Sequence, residues 1–148
     1  MIETIQDAII GQLEKITSAA TVGVWQGDIE SLIKTPQRLP ALHVIYQGAD
    51  FEEKVVIGLN RADHTMIFLV ILISKNVKSR ETGAAASYTL IEGVRSYLIG
   101  HQVAPYGFLW PLKEDLILAE GGILVYGLTY RLRTNLIATE PGEPPAEP

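Results

Sequence analysis

Eight consecutive apolar residues at positions 66–73, MIFLVILI, dominate the hydrophobic pattern of this chain. The run is rich in β-formers and far short of the ~20 residues that a helix needs to cross a bilayer. As a strand it sets Met66, Phe68, Val70 and Leu72 on one face and Ile67, Leu69, Ile71 and Ile73 on the other, so both faces require cover. Residues 54–59 and 64–74 flank Asn60, Arg61, Ala62 and Asp63, a polar link of the right length for a β-hairpin. The apolar run is then the second arm of that hairpin, central in an antiparallel sheet.

Ile2, Ile5, Ile9, Leu13 and Ile16, with Ile10 beside them, recur at spacings of three and four and predict an opening helix. The β-branched stretch 21–25 predicts a brief strand broken by Gly27 and Asp28, and residues 29–34 one helical turn before Pro36. Residues 40–46 read as a strand led in by Pro40 and ended by Gly48. A second main helix follows the polar stretch 76–82, its apolar positions Tyr88, Ile91, Val94 and Leu98, with neighbouring Leu90 and Tyr97, keeping helical spacing and Gly100 fitting its C′ position. Its interior Gly93 costs about 1 kcal/mol against Ala unless it permits close approach.

Residues 112–120 and 123–136 surround Gly121 and Gly122, a strong signal for a second hairpin. In the last strand Leu124, Tyr126, Leu128, Tyr130 and Leu132 are expected to face the core, with Val125, Gly127, Thr129, Arg131 and Arg133 outward. The sum is an α+β fold, a single domain over residues 1–137: a mainly antiparallel β-sheet with two main helices packed on one face. The other face of the apolar strand is left for the last hairpin or for a neighbouring subunit to cover. Residues 138–148 hold four prolines, three glutamates and no aliphatic residue larger than Ala, and are expected to be disordered.

Composition narrows the classes. A chain of 148 residues suits one domain able to bury roughly 70% of its unfolded surface. The absence of cysteine rules out disulfides and thiolate metal sites. Glu3, Asp7 and Glu14 break the basic-then-apolar layout of a signal peptide, so folding in the cytoplasm is expected. Twelve basic against seventeen acidic residues give a net charge of −5, which leaves no basic footprint for duplex DNA. Neither membrane insertion nor specific nucleic-acid binding is expected. A hydrophobic content of 47% is high for a small monomer and suggests that some apolar surface lies at subunit contacts.

Catalytic chemistry finds little material. His43, His64 and His101 form no i, i+4 pair, and the neighbours Glu52 and Glu53, like Glu114 and Asp115, read as solvated edges. Nucleophile-elbow, P-loop and dinucleotide-binding patterns are missing. No catalytic, cofactor-binding or metal residue is predicted, and no cofactor. An enzyme or ligand-binding domain would need His43, His64 and the acidic pairs to converge. A nucleic-acid binder would need Arg131 and Arg133 to join Lys75, Lys78, Arg80 and Arg95 in one stripe. Trp25, Trp110, Tyr106 and Phe108 read as core or interface aromatics. Candidate interface positions are Arg131, Arg133 and Thr129 on the last strand, Met66 and Phe68 on the apolar strand, and Trp25.

A family resemblance rests on arrangement rather than on a chemical signature. Its parts are the amphipathic opening helix, Leu39-Pro40-Ala41-Leu42 leading into a strand that closes on Tyr46-Gln47-Gly48, and the apolar strand finishing in Ser74-Lys75-Asn76. They continue with the approach from Arg80 to Gly83, a helix carrying YTLIEGVR at 88–95, and Leu98-Ile99-Gly100. In these the chain resembles the small tail-region proteins of Mu-like phages and prophages, related to phage tail terminator, or tail-completion, proteins. The resemblance implies a non-enzymatic structural protein that forms a homo-oligomeric ring, commonly a hexamer, capping the tail tube and helping to join the head. Its partners would be itself, the tail tube protein and a head-tail connector protein, in the host cytoplasm during assembly and then in the virion tail. Another minor tail or connector component is the alternative within that class.

Overall fold

A strand with two apolar faces must lie between two layers, and β3 (Arg61–Lys75), which carries the MIFLVILI run, does. The computed structural model describes residues 1–53, 61–75 and 80–137. In chain order the elements are α1 (Ile2–Leu13), β1 (Thr21–Val24), α2 (Ile29–Lys34), β2 (Ala41–Phe51), β3, α3 (Arg80–Leu98), β4 (Gln102–Val103), β5 (Gly107–Glu120) and β6 (Ile123–Ile137). The sheet order is β1-β2-β3-β6-β5-β4, with β3 hydrogen-bonded to β2 on one side and to β6 on the other.

The two faces of β3 belong to two cores. Met66, Phe68, Val70 and Leu72 pack under α1 and α3 with Ile5, Ile9, Leu13, Leu90, Val94 and Leu98. Leu69, Ile71 and Ile73 join Leu32 of α2, Ala41 and Val125 on the opposite face. Both main helices lie on one face, as the sequence pattern predicts. At roughly 25 cal/mol per Å² of apolar surface buried, each fully covered Leu or Ile contributes about 1.5–3 kcal/mol, so both cores count.

The cover on the second face is the main correction to the sequence reading, which assigned it to the last hairpin or a neighbour. β1 and β2 pair in parallel, Thr21 with Ala41 through Val24 with Val44. A parallel pair cannot be closed by a tight turn and needs a crossover outside the sheet plane. The crossover contains α2, whose fully buried Leu32 reaches the Leu69 face. Asp28 caps this helix by accepting from the Ser31 backbone N–H, and the Trp25 indole donates to the Asp28 carbonyl at 3.0 Å.

Further corrections concern strand limits. The expected turn at Asn60 to Asp63 does not form as drawn: Arg61, Ala62 and Asp63 are already in β3, opposite Ile137, Leu136 and Asn135 of β6. Arg61 and Asp63, two apart on one strand, pair with each other, which suits their polar character to an extended chain. The arm expected over 54–59, with Asn60, lies outside the described residues, as does the tail 138–148; the partner seen for β3 is β2. Gly48 does not end β2. It adopts a φ of +126° at a bulge where Tyr46 pairs with Phe68 and Gly48 with Ile67, and the strand runs on to Phe51.

The Gly121 and Gly122 turn joins β5 to β6 as expected, both glycines with positive φ, but β5 begins at Gly107 rather than 112. β5 carries Pro111 and two irregularities, at Pro111/Lys113 and Leu116/Leu118. Its outer side meets β4 at Phe108 and Gly107, and Leu109 accepts from the Gly100 N–H and donates to the His101 carbonyl. Of the apolar positions on α3, Leu90, Ile91, Val94 and Leu98 are buried while Tyr88 and Tyr97 are exposed, and Ser87 is fully buried. In β6 the side expected to face outward is divided: Val125 and Thr129 are buried, and exposure starts at Arg131.

Candidate functional site

Because α2 is only six residues long, it covers one end of its sheet face and leaves the other open. The register sets the open half: Thr65 opposite Arg133, Ile67 opposite Arg131, and Arg131 opposite Trp110 of β5. Directly paired residues project to the same side of a sheet, so these side chains share one surface. Phe108, two residues from Trp110, meets it edge-on at a centroid distance of 6.3 Å. Glu52, Thr65, Phe108, Arg131 and Arg133 line a depression of about 490 Å³ here.

The two arginines differ. Arg133 is ion-paired with Glu52, both partly exposed. Arg131 has no carboxylate partner among the described residues and stands half-buried between Ile67 and Trp110. A guanidinium beside two large aromatics is the composition that concentrates binding energy at protein interfaces. Phe108 and Trp110 are 42% and 44% exposed, which is unusual for aromatics on a strand of a closed core.

The remaining candidates separate from this surface. Thr129 lies on the same face but is 7% exposed, beside Leu69 at the edge of the α2 core. Met66 and Phe68 are buried on the opposite face under α1, Phe68 against the Tyr46 ring at 5.3 Å, so they are core residues of the subunit rather than surface ones. Trp25 is partly buried against α2 and meets the His43 ring edge-on at 6.5 Å. Thus Arg131 and Arg133 come together, with Phe108, Trp110, Thr65 and Ile67 added. The period-2 alternation of 123–133 could locate the arginines, but only the register reveals Trp110 beside them.

Material for a reaction centre stays dispersed. His43 lies beneath α2, opposite Ile71, and His64 lies on the other sheet face, stacked on Phe51 at 5.1 Å. Their β3 positions, 64 and 71, are about 23 Å apart along the strand. Burial holds the His43 imidazole below its ordinary value, and its Nε2 donates to Gln37 Oε1 at 2.5 Å. Glu114 is committed to Arg95 of α3, whose Nε donates to it at 2.9 Å, and Asp115 pairs with Lys113. The adjacent Tyr130 hydroxyl is buried, and desolvation pushes its pKa up to about 12, which makes it a poor proton carrier near neutrality. Among the described residues no group of three or more His, Asp or Glu could hold a metal. Lys75 lies at the far end of β3 from Arg133, and Arg95 belongs to the α3 face, so neither joins Arg131 and Arg133 in a stripe; Lys78 lies outside the described residues. Among the described residues no helix is long and apolar enough to cross a membrane.

The open face is thus an exposed surface that carries two arginines and two aromatics. The model of the family described as phage tail terminator protein matches residues 6–139, and the chain belongs to that family, as a phage tail structural protein. A chain from a solved structure of the virion of a native gene transfer agent particle shares the fold, with a TM-score of 0.52, 18% identity, and coverage of 88% of this chain and 93% of that one. No curated protein matches the sequence.

Proposed function

We propose that this protein is the tail terminator itself: a homo-oligomeric ring, commonly a hexamer, that caps the head-proximal end of the tail tube, stops its polymerisation and presents a surface for joining the head. The observation that carries the reading is the family match over residues 6–139, most of the chain. The uncovered half-face around Arg131 and Trp110 supports it, because a cyclic ring needs heterologous contacts and hence an exposed surface distinct from the one it meets. The role is structural, without a cofactor, and its partners are further copies of the chain, the tail tube protein and a connector protein.

Electron microscopy of the purified protein mixed with tail tubes tests this. Ring-shaped density on one tube end, with tube growth arrested, is the expected result. Binding along tube sides, or only at the tip that meets the host, would overturn it in favour of another minor tail component.

A further inference from the structure

We infer that the open half-face around Arg131 is the seat for a second copy of this chain, which docks there through the outer surface of its α1 helix. The inference rests on the ring reading and names the two surfaces that a ring would join.

Charge complementarity selects the occupant. At about 100° per residue, Glu3, Asp7 and Glu14 fall within about 40° of one another around the helix axis. All three are exposed, on the side of α1 opposite the buried Ile5, Ile9 and Leu13. None has an ion-pair partner among the described residues. The nearby Lys15 instead donates to Gln12 and stands 6.0 Å from the Tyr97 ring. The helix therefore presents an uncompensated acidic stripe. The open half-face presents Arg131, which lacks a carboxylate, beside exposed Phe108 and Trp110, with Arg133 next to it already paired with Glu52, so the surface is left with one net positive charge.

Dimensions agree. The twelve residues of α1 span about 18 Å at 1.5 Å each. The open stretch of β3 from Arg61 to Ile67 spans about 20 Å, bounded at its far end by α2. The donor and acceptor surfaces lie on opposite faces of one sheet, since α1 packs on the Phe68 face and Arg131 sits opposite Ile67 on the other. Such a contact cannot be self-reciprocal: each copy uses one surface to give and another to receive, so it propagates until it closes.

Charge reversal tests the pairing. One variant carries Glu3→Lys and Asp7→Lys, a second carries Arg131→Glu and Arg133→Glu, and a third carries all four. Each is followed by light scattering across a concentration series, with and without tail tubes, and checked for native circular dichroism. The first two are expected to fall to the mass of the single 16.2 kDa chain, and the third to regain the wild-type oligomer. Should Arg131→Glu fail to fold, Arg131→Gln with Asp7→Asn is expected to weaken assembly at least tenfold. Variants that keep the wild-type mass, or a fourfold swap without rescue, overturn this pairing and leave the ring standing. A wild-type protein that stays monomeric under every condition overturns both.

Discussion

The hydroxyls of Ser74 on β3 and Ser87 on α3 lie 2.6 Å apart in a fully buried hydrogen bond that ties the third helix to the central strand. A buried hydroxyl that loses its partner carries the full cost of desolvation. Ser87→Ala is therefore expected to lower stability by about 1–3 kcal/mol in a denaturant titration, and adding Ser74→Ala should recover part of that loss.

Leu32 is the anchor of α2 against Leu69, Ile71 and Ile73. Leu32→Ala should cost about 2–5 kcal/mol, because Leu32 is the fully buried residue of this helix and its loss leaves a cavity that the partly buried Ile29 and Ile33 do not fill. Thermal melts check this, and an unchanged midpoint would show that the second face of β3 needs no cover. Val70→Asp, in the other core, is expected to prevent folding, since a buried unpaired charge has no compensation there.

His43 makes stability depend on pH. Burial depresses its pKa in the folded state from the usual 6.5, so the unfolded chain takes up the proton first as pH falls. Its contribution is fully present above about pH 6.5 and is lost as pH drops from there through the folded value, at up to about 1.4 kcal/mol per pH unit. Urea midpoints measured from pH 7.5 to pH 5 should fall in the wild type, and more shallowly in His43→Gln.

Two glycines should respond in opposite directions. A Cβ on Gly107 would lie 2.7 Å from the Arg133 carbonyl oxygen, at a φ of +156°, so Gly107→Ala should destabilise by about 1–3 kcal/mol and disturb Phe108. A Cβ on Gly93 would meet Ile16 Cδ1 at 3.6 Å, an ordinary contact, so Gly93→Ala should stabilise by up to about 1 kcal/mol. Differential scanning calorimetry separates the two.

Much of the fold was legible in local patterns. Periodicity found α1 and α3, the apolar run found β3, and Gly121 and Gly122 found the β5–β6 turn, because each feature is a short-range consequence of side-chain order. The crossover was not legible: residues 29–34 carry a helical signal too short to show where it packs, and parallel pairing of β1 with β2 is a long-range choice. The same holds for Thr129 and Arg131. Both fall on one side of an alternating strand, and only the length of α2 decides that the first is covered and the second open. Trp110 reached the site by register, which no local pattern encodes.

The irregular outer strand has a bearing on how such a protein is kept from assembling wrongly. Pro111 offers no N–H, and the breaks at Pro111/Lys113 and Leu116/Leu118 interrupt the even spacing that a docking strand would need. Exposed Leu112, Leu116 and Ile117 make that margin adhesive, yet its backbone gives an incoming strand no long stretch on which to match. A phage tail structural protein carries, in β5, a margin ill-suited to being copied into a second assembly.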